Sequence, residues 1–239
     1  MLRVQKLSVS VNGKSVVRNI SLSLEKGEKL VLFGPNGSGK TSFLMCLSGV
    51  ESYKVTAGKI VFAEKNITPL PAEERVKMGI VLAFQNPPRI KGVKFETILK
   101  ICTKIGKSDM NEISKIAEEL GVKELFKREL YSGFSGGEIK KCELLQAIAL
   151  NPKLLLLDEP DSGVDAESIK SICKVLSRFL EEEERSAIII THSGEILNHL
   201  KIEKGAVMYS GKIICTGKAK KIFETIKKHG YERCAQCIR

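Results

Sequence analysis

Apolar and polar residues alternate along Leu2–Val11, pause at Asn12-Gly13, and alternate again over residues 15–24. A period of two on either side of an Asn-Gly pair predicts two antiparallel strands joined by a tight hairpin turn. Side chains alternate faces along a strand, and Asn-Gly tolerates the positive φ angles such a turn needs. Lys29–Phe33 is a short apolar run that leads straight into a glycine-rich loop, and residues 40–50 follow with Phe43, Leu44 and Leu47 at helical spacing. Residues 59–62 and 79–84 read as further strands.

After residue 86 the period changes. Pro87-Pro88 interrupts the chain; then Ile98, Ile101, Cys102 and Ile105 fall on one helical face, and Ile113, Ile116, Ala117 and Leu120 on another. Residues 87–134 are therefore expected to be a mostly helical subdomain inserted into an α/β core of residues 1–86 and 135–239. The second part of that core predicts a long helix over 137–150, a buried strand over 154–157, a helix over 166–182 and a strand over 186–191. A hairpin of 205–209 and 212–216, turned at Ser210-Gly211, and a basic amphipathic helix over 218–229 close the chain. Strands alternating with helices predict a mostly parallel central sheet, with an antiparallel β subdomain at the N-terminus.

Composition narrows the function. With 239 residues, 43% of them hydrophobic and 28% charged, the chain can bury a large core and is not a disordered segment. The longest apolar runs, 154–157 and 187–190, are strand-length, so direct membrane insertion is not expected. The first eleven residues alternate as no secretory signal does, and the expected location is cytoplasmic. A formal net charge of +11 suits an anionic partner, and equally a lysine-rich solvated surface. No basic run is interleaved with aromatics, so nucleic acid is not the expected partner. The seven cysteines are an odd count and do not suggest a disulfide framework. Cys46, Cys102, Cys142 and Cys173 lie in apolar helical patterns, as buried hydrophobes do. Cys234-Ala-Gln-Cys237 is half of a zinc or cluster site, two ligands short of a whole one.

Gly34-Pro35-Asn36-Gly37-Ser38-Gly39-Lys40-Thr41 fits G-x-x-x-x-G-K-[ST] between a predicted strand and a predicted helix. Glycines let successive backbone N–H groups surround phosphate oxygens, and the helix N-terminus adds partial positive charge there. Lys40 is expected to reach the β- and γ-phosphates and the Thr41 hydroxyl to ligate Mg²⁺, with Ser42 completing the nucleotide site. Residues 154–157 form a buried strand that delivers Asp158 and Glu159 to the ligand edge of the sheet. Asp158 is the candidate Mg²⁺ residue, and Glu159 the candidate for polarising an attacking water. Ser135 and Glu138 form an S-x-x-E capping box, and Gly136-Gly137 bare the backbone amides of a second helix N-terminus. Two such surfaces in one chain can grip one γ-phosphate only if they come from different copies, which implies a head-to-tail homodimer around ATP.

These motifs resemble those of the ATP-binding-cassette (ABC) ATPases, over nearly the whole chain. Phe134–Glu138 resembles the signature motif, Ser162-Gly163-Val164-Asp165 the D-loop, and His192 the switch histidine. Gln85 stands at the Q-loop position. The resemblance implies a P-loop NTPase core, ATP and Mg²⁺ as ligands, and roles at the γ-phosphate for Gln85 and His192, with Gln85 also contacting the metal. Within that family, Leu82-Ala83-Phe84-Gln85-Asn86-Pro87-Pro88-Arg89-Ile90-Lys91-Gly92-Val93 resembles the L-A-F-Q-x-P-x-x-I-x-G-V stretch of SufC, the ATPase of the SUF iron–sulfur cluster assembly machinery. Lys140-Lys141, Asp161-Ser162-Gly163 and Gly230-Tyr231 are similar as well. The resemblance implies SufB/SufD-type scaffold proteins as partners, reshaped by ATP-driven dimerisation of the ATPase. A nucleotide-binding subunit of an ABC membrane transporter shares every ATP residue and stands as the alternative. Val11 occupies the place where most transporter cassettes carry an aromatic residue against adenine, and the helical insertion is shorter than is usual for bacterial SufC.

Overall fold

The structure, a computed structural model, describes residues 1–236 apart from residues 86, 89, 183 and 184. Strands β1 (Leu2–Val11) and β2 (Lys14–Leu24) pair antiparallel through the predicted turn, where Asn12 and Gly13 both take positive φ. β4 (Lys54–Phe62) and β5 (Lys65–Asn66) extend them into a four-stranded antiparallel sheet of order β2-β1-β4-β5. The second sheet has six strands in the order β10-β9-β3-β8-β7-β6. They are β3 (Lys29–Phe33), β6 (Ile80–Ala83), β7 (Leu154–Asp158), β8 (Ser186–Ile190), β9 (Lys204–Tyr209) and β10 (Lys212–Lys218). All pairings in it are parallel except β9–β10.

The parallel strands are apolar on both faces because both are covered. Leu30, Leu32, Leu154, Leu156, Ile188 and Ile190 point to one side, into a core shared with the antiparallel sheet and helix α1 (Lys40–Ser48). Val31, Phe33, Leu155, Leu157, Ala187 and Ile189 point to the other, against helices α5 (Gly136–Ala149) and α6 (Ala166–Glu181). Each fully buried leucine contributes about 1.5–3 kcal/mol, so these strand ends are rigid supports for the loops they carry.

Between β6 and α5 the described chain is helical: α3 (Phe95–Gly106), α4 (Met110–Glu119) and a 3₁₀ turn at Lys123–Lys127. The predicted α3 face holds only in part. Cys102 is buried and Ile98 packs against the core, but Ile101 and Ile105 are 51% and 50% exposed, and the buried side is completed by Phe95 and Leu99 instead. The apolar arc of α3 is wider than the surface of α5 and α4 that covers it. Three short elements carry too little periodicity to be seen in the sequence: β5, α2 (Ala72–Lys77) and α7 (Ile196–His199). The closing helix α8 (Ala219–Gln236) runs past the predicted end and kinks at Gly230 (φ 72°). No helix among the described residues is long and apolar enough to cross a membrane.

Cys46, Cys102, Cys142 and Cys173 are buried, as their spacing predicts. Burial raises their thiols, to about 11 for Cys46 and Cys102. Cys234 is also buried against the core, while Cys237 lies outside the described residues. Among the described residues no group of three or more His, Cys, Asp or Glu side chains could hold a metal ion.

Candidate functional site

β3 ends at Phe33 and the chain enters the Gly34–Lys40 loop, which wraps the N-terminus of α1. The loop fits only with glycine at two of its close approaches. A Cβ on Gly34 would stand 2.2 Å from the Met208 carbonyl of β9, and one on Gly39 2.5 Å from the Val16 carbonyl of β2. Gly211 N–H donates to the Ser38 carbonyl (2.9 Å), so the β9–β10 turn braces the loop from behind. Lys40 is 5% exposed and its Nζ donates to the Gly34 and Pro35 carbonyls at 2.8 and 2.9 Å. Burial lowers its pKa, partly offset by the Glu159 and Asp158 carboxylates. The ammonium is thus held inside the ring of loop amides, facing two acids.

β7, buried along its whole length, ends in those acids. Asp158 is 2% exposed, and neither carboxylate oxygen has a hydrogen-bond partner. Burial raises its pKa, with Glu159 adding to the effect and the adjacent Thr41 hydroxyl, Lys140 and Lys40 opposing it. An unpaired buried carboxylate costs several kcal/mol unless a cation or donor arrives. A hard oxygen-seeking ion such as Mg²⁺ beside Thr41 fits this donor set. Glu159 takes a left-handed backbone (φ 52°), a conformation rare for a residue with a side chain and concentrated at functional turns. Its Oε2 accepts from Gln85 Nε2 at 2.5 Å, and its Oε1 lies 3.0 Å from His192 Nε2. The Gln85–Glu159–His192 set therefore converges on one carboxylate from the ends of three strands, β6, β7 and β8.

These groups surround an open cleft of about 1030 Å³. Asn36, Gly37, Gly39, Lys40, Thr41, Ser42, Gln85, Glu159 and His192 line it; Asp158 lies buried behind. Five further lining residues carry no sequence motif: Ser15, Val16 and Arg18 on β2, and Ser210 and Gly211 of the closing hairpin turn. They reach the site through strand pairing and packing across half the chain, so no local pattern could mark them. Val16 of β2 lines the cleft, and Val11 sits half-buried at the end of β1.

Ser135, Gly136 and Gly137 are not brought to this cleft. Ser135 caps α5 as the spacing predicts: its hydroxyl accepts from Glu138 N–H (3.3 Å), and Glu138 accepts from Ser135 N–H (2.7 Å). Ser135 and Gly136 are exposed. The two glycines also have a packing reason. A Cβ on Gly136 would meet the Gly163 carbonyl, and one on Gly137 the Ser168 hydroxyl, each at 3.3 Å. The helix end that bares its amides to solvent is thereby pressed against the loop that follows Glu159.

Residues 17–162 match the family described as ABC transporter. The chain belongs to the ATP-binding-cassette family. Its activity is that of the family, ATP hydrolysis, and ATP is its nucleotide. It is 36% identical over 99% of its length, and 95% of the relative's, to a probable ABC transporter ATP-binding protein of Streptococcus pyogenes. It is 37% identical, over 97% of its length and 95% of the relative's, to the probable ATP-dependent transporter ycf16 of Cyanidium caldarium. Among solved structures, a nucleotide-free ATP-binding cassette from an ABC transporter matches at TM-score 0.78 and 28% identity, over 95% of each chain. The ADP conformation of another ABC transporter cassette matches at TM-score 0.77 and 28% identity, over 100% and 99%. The fold of this ABC ATPase is thus the α/β cassette that its sequence predicts.

Proposed function

We propose that this ABC ATPase works with Mg²⁺, that two copies close head to tail on ATP, and that the closure drives a conformational change in a soluble SufB/SufD-type scaffold for iron–sulfur cluster assembly. The observation that carries the chemistry is the Asp158 carboxylate, without a hydrogen-bond partner, buried behind the cleft that Thr41, Lys40 and Glu159 line. Asp158, Thr41 and Gln85 would hold Mg²⁺, which when bound neutralises charge on the phosphate oxygens. Lys40 exchanges the Gly34 and Pro35 carbonyls for the β- and γ-phosphate oxygens, while the amides of Asn36–Ser42 cradle the chain of phosphates. Glu159 orients water for in-line attack, steadied by Gln85 and His192, which also reach the γ-phosphate. Catalysis of this kind is positioning and charge stabilisation, with no covalent intermediate.

The dimer follows from what one chain leaves undone. The Ser135–Gly137 helix end is exposed and outside its own cleft, so a second copy must bring it to the γ-phosphate. For the scaffold, support comes from the stretch 82–93 in the sequence and from exposed apolar side chains within it and on α3. Phe84 (37% exposed), Ile90 (41%), Ile101 and Ile105 are the large hydrophobic side chains left outside among the described residues. Such surface marks an interaction site. A second reading, the nucleotide-binding subunit of a membrane transporter, is favoured by the names of the Streptococcus and Cyanidium relatives.

The test is affinity purification of the full chain from its native lysate, with and without ATP, followed by mass spectrometry. A SufB-like soluble protein as the retained partner is the expected result. A polytopic membrane protein in its place would overturn the scaffold and establish the second reading.

A further inference from the structure

The chain crosses between the sheet and the helical segment twice. It leaves at Phe84-Gln85, after β6, and returns through Leu130–Ser135 into α5. One buried side chain touches both crossings. Glu143, on α5 two turns from the Ser135 cap, is 8% exposed. Its Oε2 accepts from the Phe84 backbone N–H at 3.0 Å, and its Oε1 accepts from the Tyr131 hydroxyl. Tyr131 is 2% exposed, held in a left-handed backbone (φ 60°), and its oxygen also accepts from Gln146 Nε2, one turn further along α5. Its ring stands edge-on to Phe134 at 6.0 Å, next to the cap. One turn before Glu143, Lys140 Nζ donates to the Gln85 carbonyl at 2.8 Å. Successive turns of α5 thus hold the N–H of Phe84, the carbonyl of Gln85 and the hydroxyl of Tyr131.

A carboxyl is an expensive way to join these pieces. Burial raises the Glu143 pKa, opposed by its bonds to Tyr131 and Phe84 and by Lys140. Replacing a whole buried ionic network, all partners together, by apolar residues of similar volume is often neutral or stabilising, so an apolar joint could hold these pieces together as well. What the carboxylate supplies is direction: two acceptor oxygens fixed on a rigid helix, each aimed at a different crossing. We propose that Glu143 is a positioning residue for ATP hydrolysis. It locks both crossings to α5, so that Gln85 at one end and the Ser135–Gly137 helix start at the other keep a fixed relation across the reaction site. This rests on the ATPase activity alone and is independent of which partner the protein serves.

The test uses the full chain and five variants: Glu143→Leu, Glu143→Gln, Tyr131→Phe, Gln85→Ala, and Glu143→Leu with Gln85→Ala. Thermal melts establish folding, titration with a fluorescent ATP analogue gives nucleotide Kd, and steady-state assays give kcat. Glu143→Leu is expected to lower kcat about tenfold or more while Kd stays within about twofold, the signature of misplacement in the reacting state. Glu143→Gln, whose amide can still accept from Phe84 and reach Tyr131, is expected to restore most of that loss. Tyr131→Phe, which removes the hydroxyl's bonds to Glu143 and Gln146 and almost no volume, is expected to fall between. Measured against Gln85→Ala alone, the Leu substitution is expected to cost less than it does in the wild type, because part of its route to the reaction is through Gln85. Wild-type kcat in Glu143→Leu overturns the proposal, and so does a full additional loss in the Gln85→Ala background. If the Leu variant does not fold, Tyr131→Phe decides: lower kcat at unchanged Kd supports the role, and wild-type kcat overturns it.

Discussion

The sheet core and the helical segment leave opposite kinds of group unsatisfied. In the core, what lacks a partner among the described residues is polar and inside: both Asp158 oxygens and the Ser38 hydroxyl. In the helical segment it is apolar and outside: Ile101 and Ile105, half exposed on α3. Helix α6 sharpens the contrast. Its apolar face is as regular as that of α3, yet Ile169, Ile172, Leu176, Phe179 and Leu180 are all buried. A buried orphan oxygen is satisfied by something the size of an ion or a phosphate; an uncovered apolar stripe is satisfied by a protein. On the proposed function, the core serves the nucleotide and the helical segment the partner.

Breaking the core side of this contrast gives the largest effect. Lys40→Ala is expected to abolish ATP hydrolysis in a coupled phosphate-release assay, since among the described residues Lys40 supplies the one ammonium lining the cleft; turnover at the wild-type rate would remove the site assignment.

Asp158→Asn separates function from stability. Without nucleotide it is expected to raise stability by about 1–3 kcal/mol, because an unpaired buried charge is gone, while hydrolysis is lost. The sign with pH follows from the raised folded pKa. In acid the carboxyl is protonated in both folded and unfolded states and the wild type bears no cost. The cost grows as pH rises from the unfolded to the folded pKa and is complete above it. Denaturant titrations across pH should therefore show the Asn advantage at neutral pH and none in acid.

The smallest effect is expected on the helical side. Ile101→Glu with Ile105→Glu should change unfolding free energy by no more than about 0.5 kcal/mol per site and leave basal ATP hydrolysis as it was. Partner retention in the affinity experiment should be lost. Strong destabilisation would mean that the two side chains are part of the core after all.

This contrast also marks what the sequence could express. Asn12-Gly13, the Gly34–Thr41 loop, the apolar strand ending at Asp158 and the Ser135–Glu138 cap each depend on residues close together in the chain, and each stands in the structure as its pattern predicts. The cleft wall at Val16, Arg18 and Gly211 does not, because strand pairing and the packing of the hairpin turn on the loop bring those residues together. The α3 face misleads for a related reason. Periodicity shows which residues are apolar, and the exposure of Ile101 depends on how much of that arc a neighbouring helix covers. Glu143 belongs to the same class: on its helix it is one more acid among lysines, and only the folded chain shows it between Phe84 and Tyr131.

The central claim is that one chain holds two halves of a site that only a second copy can join around ATP. Glu159→Gln keeps the size and hydrogen-bonding reach of the side chain while removing the charge proposed to orient water, so ATP should bind and persist. Light scattering coupled to size exclusion should then give twice the chain mass with Mg²⁺ and ATP, and the single-chain mass without nucleotide. A monomer at saturating Mg²⁺-ATP, with nucleotide shown to be bound, would contradict the account.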